Sequence, residues 1–381
     1  MKSSTIPFEI QAGCRKSKKR WYGYLAKIHD IRNSIDRIDD HLLKLINQRG
    51  ELAIKIGHEK SRKNSSKHFH VPHREHSIIE RVTEKNSGPF TDESLRSVFR
   101  EIFSATLALE KPLRIGFLGP ETTFSHQAAI KQFGHSSKFI ASPNIESIFR
   151  QVEKDICDYG VVPVENSIEG VINLTLDCFV DSPLLICDEI KSTISLYLLS
   201  KAKDRKKIKT VYSHPQPLGQ CRQWLNLNLP NAQQVPTSST ASAAKTIVKK
   251  STCAAIAGKL AAEVYDLNIV EENIQDRVEN HTRFLVIGKD EAKKVKHNKT
   301  SIMFSIRDEA GSLLKVLQLF ARNKVNLTKI QSRPLRDRPW EYLFYVDLEG
   351  HIQDSVIKKS LETLEKMSLF LRLLGSYPRK V

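Results

Sequence analysis

The chain has 381 residues, 40% of them hydrophobic, and carries 60 Lys and Arg against 43 Asp and Glu for a formal charge of +17. That length supports two or three domains with full cores, and the apolar content excludes a disordered chain. No apolar run approaches the roughly 18 residues of a membrane span, and the basic N-terminus has no apolar core ahead of a cleavage site, so neither a membrane protein nor a secretory signal is expected.

The six cysteines (Cys14, Cys157, Cys178, Cys187, Cys221, Cys253) are scattered, with no CxxC and no His at metal spacing. A reducing, cytoplasmic setting with no metal and no organic cofactor follows as the expectation. The positive charge sits in short groups such as 205–209 and 293–299, without aromatic interleaving or a helix-turn-helix, zinc-finger or ribonucleoprotein signature. Diffuse charge that steers an anionic small molecule fits better than nucleic-acid binding.

Residues 1–24 read as an N-terminal arm, and 25–111 as helical. Ile28, Ile31, Ile35, Ile38, Leu42 and Leu45 recur in steps of three and four, and Leu52 and Ile56 continue the period one heptad on, with no proline among them. This predicts an uninterrupted helix of about 50 Å with one apolar seam. Shorter helices are expected near 73–85 and 92–110, the second opened by Pro89-Phe90-Thr91-Asp92. One long and two short helices cannot bury that seam alone, which predicts a homodimer or a tetramer.

Arg49 falls on the seam between Leu45 and Leu52, where a guanidinium is costly unless paired or liganded. Snorkelling is the common alternative. Arg32 and Lys60, four heptads apart, flank the same seam, and Arg32 and Arg49 are about 25 Å apart by helical rise. They cannot both grip one small ligand from one helix, so either two sites exist or a second chain supplies one of them. Arg74 and Glu75 lie one turn before Ile78 and Ile79. Thr106 and Glu110 share a helix face with Phe99, Ile102 and Phe103. Several inward cations suit a dianionic small molecule.

Residues 112–288 alternate strand and helix patterns. Strands are expected at Arg114–Leu118, Tyr159–Val164, Ile208–Tyr212, Cys253–Ala257 and Phe284–Ile287, giving an α/β domain with a mostly parallel sheet. Each strand end is polar: Thr123 and Ser125, then Glu165-Asn166-Ser167, Ser213-His214 with Gln220 a turn on, 237-TSST-240, and Asn280-His281 with Thr282 and Arg283. A single such end is an ordinary helix cap. Five of them describe a cleft of hydroxyls, amides, an imidazole and a guanidinium.

A lysine-rich linker is expected at 289–299. Residues 300–378 follow in the order β-α-β-β-α-β, the ferredoxin-like arrangement.

These segments resemble a known enzyme family. IDRIDDHLLKLINQRGELAIKIGHEK, REHSIIERV and VFREIFSATLALEKPL resemble the all-helical mutase domain of bifunctional chorismate mutase–prephenate dehydratases, an interlocked dimer. The resemblance implies that Arg32 reaches into a partner's site while Arg49, Lys60 and Arg74 serve the chain's own. Glu75 would hold a substrate hydroxyl, and Thr106 and Glu110 occupy the positions of a small polar residue and a Gln or Glu. Lys60 and Glu110 would stabilise the breaking ether oxygen of chorismate, the main chemical demand of a pericyclic rearrangement.

GFLGPETTFSHQAA (with Thr122 for the usual Gly), PVENSIEG, YSHPQPLGQC, STASAA and HTRF resemble the dehydratase domain, two α/β lobes similar to type II periplasmic binding proteins. There the resemblance implies that Thr282 is the catalytic hydroxyl and Arg283 orients the substrate or its loop. Thr123, Ser125, Glu165, Asn166, Ser167, Ser213, His214 and Gln220 would support binding of prephenate. A threonine hydroxyl is a poor acid unassisted, so a helper is needed, with His281 or a network through Glu165 in view.

310-AGSLLKVLQLF-320 and 331-QSRP-334 (with Gln331 for the usual Glu) resemble an ACT domain. This implies that L-phenylalanine binds around Ala310, Gly311, Ser312, Leu313 and Gln331, Ser332, Arg333, Pro334 and inhibits the dehydratase. A purely structural dimerisation module is the alternative. For the whole chain, an amino-acid or transcriptional sensor on the same core is the competing class, as is an enzyme that has lost one activity; the sensor would need a DNA-reading helix.

A carboxylate cannot donate a hydrogen bond to an ether oxygen, so Glu110 must act protonated. Mutase activity is therefore expected to rise toward mildly acidic pH and to lose that dependence in Glu110→Gln. An unchanged pH profile in the variant contradicts this role.

Overall fold

The computed structural model describes residues 8–62, 72–277, 279–334 and 342–380, with side chains of the first range described over 27–59. Among the described residues the first unit contains one helix, α1 (Phe8–Arg62), of 55 residues. Its rise corresponds to about 80 Å rather than 50 Å. It runs through the expected arm boundary because its Lys- and Arg-rich start is a good helix former and no proline follows Pro7 within it. Along α1 the seam residues Ile31, Ile35, Ile38, Leu42, Leu45, Leu52 and Ile56 are 46–59% exposed.

The second unit opens with α2 (Pro72–Glu84) and α3 (Asp92–Glu110). Proline starts α2, with Glu75 in its first turn and Arg81 in its last, as the helix dipole favours. Thr91 caps α3 by accepting from the Ser94 amide at 3.2 Å. Leu107 of α3 packs against the core of the following lobe.

That lobe is built on β1 (Arg114–Leu118), β2 (Lys138–Ser142), β3 (Tyr159–Asn166), the short β4 (Gly170–Val171) and β5 (Leu185–Thr193). Helices α4 (Phe124–Phe133), α5 (Ile145–Glu153) and α6 (Asn173–Asp181) join them. The chain then leaves for a second lobe: β6 (Tyr197–Ser200), β7 (Thr210–Ser213), β8 (Gln233–Pro236), β9 (Cys253–Ala257) and β10 (Asn268–Glu271), with α7 (Pro215–Gln220), α8 (Arg222–Asn228), α9 (Thr240–Ile247) and α10 (Lys259–Tyr265). It returns through β11 (His281–Gly288) to complete the first sheet, in the order β2-β1-β3-β11-β5.

The sheets are mixed rather than mostly parallel. β1 runs parallel to β2 and β3, and β7 parallel to β8 and β9. β11 is antiparallel to both β3 and β5, and β6 is antiparallel to β9 and β10. The physical reason is the double crossing between lobes: a strand that arrives from the other lobe enters the sheet against its neighbours.

The C-terminal sheet comprises β12 (Asn298–Ser305), β13 (Leu327–Pro334), β14 (Tyr342–Glu349) and β15 (Phe370–Pro378), in the order β13-β14-β12-β15. Helices α11 (Ser312–Arg322) and α12 (Ser355–Met367) pack on it with Phe304, Val316, Phe320 and Leu364 in the core. This is the expected ferredoxin-like order, but the expected linker is shorter. Asn298 and Lys299 already belong to β12, and the Lys299 side chain is 8% exposed. The sheet's other face shares a core with the first lobe, where Met303, Leu343, Tyr345, Leu374 and Tyr377 join Ile145, Phe149, Phe179 and Leu285. Gly375 (φ 150°) permits this approach, since a Cβ there would lie 2.3 Å from the Ile186 carbonyl oxygen.

Among the described residues no helix is long and apolar enough to cross a membrane.

Thr122, in the turn after β1, holds a left-handed φ of 68°, and its buried hydroxyl finds no hydrogen-bond partner among the described residues. Its amide donates to His126 Nδ1 at 3.1 Å. Burial holds the His126 imidazole below its ordinary pKa, which keeps that nitrogen an acceptor. Left-handed strain of roughly 1–2 kcal/mol at a non-glycine exceeds the roughly 0.5–1 kcal/mol entropic cost of glycine. Thr122→Gly is expected to raise the calorimetric transition of the two-lobed domain by about 2–4 °C; a lowered transition contradicts the strain assignment.

Candidate active site between two lobes

A cavity of about 280 Å³ lies between the two lobes. The first lobe contributes Thr123, Ser125, Asn166 and Thr282, and the second contributes His214, Gln220, Ser239 and Thr240. Pro163, Phe124, Ile172, Ile194, Leu196 and Phe284 supply an apolar wall that suits a six-carbon ring. The starts of α4 and α9 open onto the cavity, so backbone N–H groups stand beside the hydroxyls for a carboxylate. Thr123 and Ser239 also cap these helices, accepting from the amides of His126 and Ser242.

Thr282 sits at the centre of a chain of amides. Asn166 Nδ2 donates to Thr282 Oγ1 at 2.9 Å and to Asn280 Oδ1 at 2.8 Å. Asn280 Nδ2 donates in turn to Gln220 Oε1 of the second lobe at 3.4 Å. The Asn166 carbonyl accepts from the amides of Ile168 and Glu169 at 2.9 and 3.1 Å, which fixes which end of the side chain donates. With one lone pair of Thr282 engaged, its own O–H is free to point into the cavity as a donor.

Strand alternation separates the remaining expected residues. β11 pairs with β3 so that Thr282 faces Asn166 and Arg283 faces Glu165, with a register shift directly after Arg283. Thr282 and Asn166 turn into the cleft, and Arg283 and Glu165 turn to the opposite side. Arg283 Nε donates to Glu189 Oε2 at 2.9 Å, and its terminal nitrogens reach Asp347 at 2.7 Å, Tyr377 at 3.2 Å and Glu165 at 3.7 Å. Burial pulls the guanidinium down, but Tyr377, Asp347 and Glu189 outweigh it, and its pKa stands above the ordinary value. Lys299 donates to Glu189 at 2.7 Å, and burial followed by the Arg283 charge lowers its pKa. Glu165 meets Lys329 at 2.8 Å.

Ser213 and Ser167 are also outside the cavity lining. The Ser213 hydroxyl is buried and donates to the Ile256 carbonyl at 2.7 Å, tying β7 to β9. Ser167 Oγ accepts from the His281 amide at 2.9 Å and so fastens the start of β11. The His281 ring lies 3.3 Å from Thr193 Oγ1 at an exposed position. Neither it nor Glu165 touches the Thr282 hydroxyl, whose neighbour is Asn166.

Asn280 and Arg277 were not singled out from the sequence. Asn280 stood among the polar strand ends without a signal separating it from a cap. Arg277 is exposed and lines an adjoining cavity of about 520 Å³ with Glu169, Gln220 and Asn280; nothing in its local pattern marked it.

The helical-site residues fall on different elements. Arg32 is exposed and Arg49 half-buried on α1, while the Lys60 side chain lies outside the described residues, as do residues 63–71. Arg74 and Glu75 open α2. Thr106 donates to the Ile102 carbonyl at 2.5 Å, and Glu110 is the last residue of α3. Of the effector residues, Gly311 takes a left-handed φ of 84° as the cap of α11, which Ser312 and Leu313 begin. Gln331–Pro334 close β13, where Arg333 donates to both oxygens of Asp177 at 2.8 Å.

Three family models match the chain. The chorismate mutase type II family model matches residues 31–111, the prephenate dehydratase model 115–292 and the ACT domain model 300–366. The bifunctional chorismate mutase/prephenate dehydratase of Aquifex aeolicus is 44% identical over 359 residues, covering 93% of this chain and 99% of that protein. The enzyme of the same name from Stutzerimonas stutzeri is 42% identical over 92% of this chain and 97% of its own length. Among solved structures, the prephenate dehydratase of Arthrobacter aurescens in complex with L-Phe superposes with a TM-score of 0.65 at 32% identity, over 70% of this chain and 90% of that one. The chain belongs to the bifunctional chorismate mutase/prephenate dehydratase family.

Proposed function

We propose that the chain converts chorismate to prephenate in its helical segment and prephenate to phenylpyruvate, water and carbon dioxide in its two-lobed segment, under inhibition by L-phenylalanine. The observation that carries the dehydratase reading is the Thr282 hydroxyl, held by Asn166 at 2.9 Å in a cavity lined by hydroxyls, amides and apolar side chains.

The reaction needs one proton and one redistribution of electrons. The bond to the departing carboxylate breaks, its electron pair enters the ring, and the ring hydroxyl leaves as water. The aromatic ring that forms drives both departures. Thr282 is the donor to the leaving oxygen, and Asn166, by donating to Thr282, stabilises negative charge on that hydroxyl as its proton moves outward. His214, across the cavity, accepts the Gln216 amide on Nδ1, so a neutral ring carries its proton on Nε2. Among the described residues the cavity lining carries no Lys or Arg, and Glu169 is its acidic residue. Neutral donors bind carboxylates without over-stabilising the one that must depart, as ground-state economy requires. Ser239, Thr240 and Ser125 with the helix-start amides take the side-chain carboxylate, and Arg277 at the adjoining cavity attracts the dianion. No metal or organic cofactor is assigned a part.

In the mutase segment Arg32, Arg49, Lys60 and Arg74 hold the two carboxylates of chorismate. Glu75 holds its hydroxyl, Thr106 contacts the ligand, and Lys60 with protonated Glu110 meets the ether oxygen. The exposed apolar seam of α1 supports a homodimer, in which Arg32 completes the partner's site; a tetramer would require a second interface. Residues 25–111, 112–288 and 300–378 are the proposed functional segments, and the cytoplasm the proposed location. L-Phenylalanine, the ligand of the similar Arthrobacter aurescens enzyme, is the proposed effector at Ala310–Leu313 and Gln331–Pro334.

Given chorismate, the wild-type chain is expected to form phenylpyruvate. The Thr282→Ala chain is expected to accumulate prephenate, with dehydratase kcat lowered by about 10²–10⁴-fold and mutase activity unchanged. Full dehydratase activity in Thr282→Ala contradicts the assignment.

A further inference from the structure

We propose that Lys329 couples effector occupancy of the C-terminal sheet to the dehydratase cleft, acting through Glu165 and Arg283 on Asn166 and Thr282. The proposal rests on the reading that L-phenylalanine binds and inhibits this chain.

The geometry points to one short path. Among the described residues β13 is an edge strand, bonded within its sheet to β14 alone. Its side chains alternate: Lys329, Gln331 and Arg333 are half-buried, while Ile330, Ser332 and Pro334 are exposed. Two of the half-buried side chains grip the first lobe, Lys329 through Glu165 at 2.8 Å and Arg333 through Asp177 at 2.8 Å. The exposed set is available to an effector. A strand held by a single ladder moves at lower cost than an interior strand, and any movement of β13 carries the Lys329 ammonium with it.

Glu165 transmits that movement because of where it sits in β3. The next residue is Asn166, the donor to Thr282, and the cross-strand partner of Glu165 is Arg283, adjacent to Thr282. Two consecutive residues on each of two paired strands therefore face opposite ways. One pair carries the chemistry, and the other is bound to the regulatory sheet. A displacement of Glu165 and Arg283 on the far face must rotate or shift Asn166 and Thr282 on the near face. Arg333 ends on α6, whose residues do not line the cavity, so its ion pair anchors β13 without reaching Thr282. Lys329 is the contact from β13 that reaches β3.

Lys329→Met keeps the length of the side chain and leaves Gln331–Pro334 untouched. In the full chain, L-phenylalanine binding is measured by calorimetry, dehydratase rate with and without saturating L-phenylalanine, and mutase rate as a check on folding. The wild type is expected to be inhibited by roughly 5–150-fold, the usual range of allosteric coupling. Lys329→Met is expected to bind L-phenylalanine with unchanged affinity, keep its uninhibited rate within about twofold, and show inhibition below about twofold. Lys329→Arg is expected to stay inhibited.

Wild-type-like inhibition of Lys329→Met overturns the coupling role. Loss of L-phenylalanine binding in that variant overturns it as well, since Lys329 would then belong to the effector site. A collapse of the uninhibited rate would make Lys329 part of the basal machinery and equally refute the proposal. If the wild type binds no L-phenylalanine, the regulatory reading itself fails, and the calorimetric arm separates that result from a failure of coupling alone.

Discussion

The buried charge cluster around Arg283 is the constraint on which the rest of the second unit depends. A guanidinium 13% exposed in its side chain, together with the Lys299 ammonium, is balanced by Glu189 and Asp347, and the side chains of these three partners are 0–9% exposed. Two cations and two carboxylates leave no net charge in the interior, the condition under which such a cluster is tolerated. Removing one member would strand the others at a cost of roughly 3–5 kcal/mol, whereas replacing the whole cluster with apolar groups can be neutral. Its value is therefore better sought in geometry than in stability. It fixes how β12, β14 and β15 lie on β5 and β11, and Ser301 and Tyr377 complete it at 2.6–2.7 Å.

That anchoring determines the reactive side of the sheet. With Arg283 held on the far face, period-two alternation leaves Thr282 no choice but the cleft. Asn166 follows by the same register on β3. The cleft is thus lined by hydroxyls, amides, an imidazole and the Glu169 carboxylate, while a cluster of buried ion pairs lies one residue away, and the sheet itself keeps the two apart. The Asn280–Gln220 contact at 3.4 Å joins this arrangement to the second lobe. It is the long link of the amide chain, at the point where a change in the angle between lobes would be felt.

Local pattern made much of this readable. The seam of α1, the three helices, the βαββαβ order and the polar ends of β1, β3, β7 and β11 all follow from spacing and capping residues close together in sequence. Side-chain direction did not. Arg283 and Glu165 read as cleft residues because they stand beside Thr282 and Asn166, and only the β3–β11 register, with its shift after Arg283, assigns them to the other face. β5 escaped for a related reason. LICDEIKST carries Asp188, Glu189 and Lys191, which break the apolar signature of a buried strand, yet Glu189 is wholly buried because its partners come from β11 and β12. Lys299 likewise read as part of a basic linker, since its partner is 110 residues away in sequence. Long-range pairing of charge is invisible to local pattern, and it is what joins the regulatory sheet to the catalytic one.

The central claim is that the ends of β3 and β11 belong to both the cleft and the regulatory sheet. Amide hydrogen exchange of the full chain, with and without L-phenylalanine, tests it directly. The account predicts altered protection at 164–166 and 281–284 as well as at 327–333. Changes confined to 300–378 would contradict it.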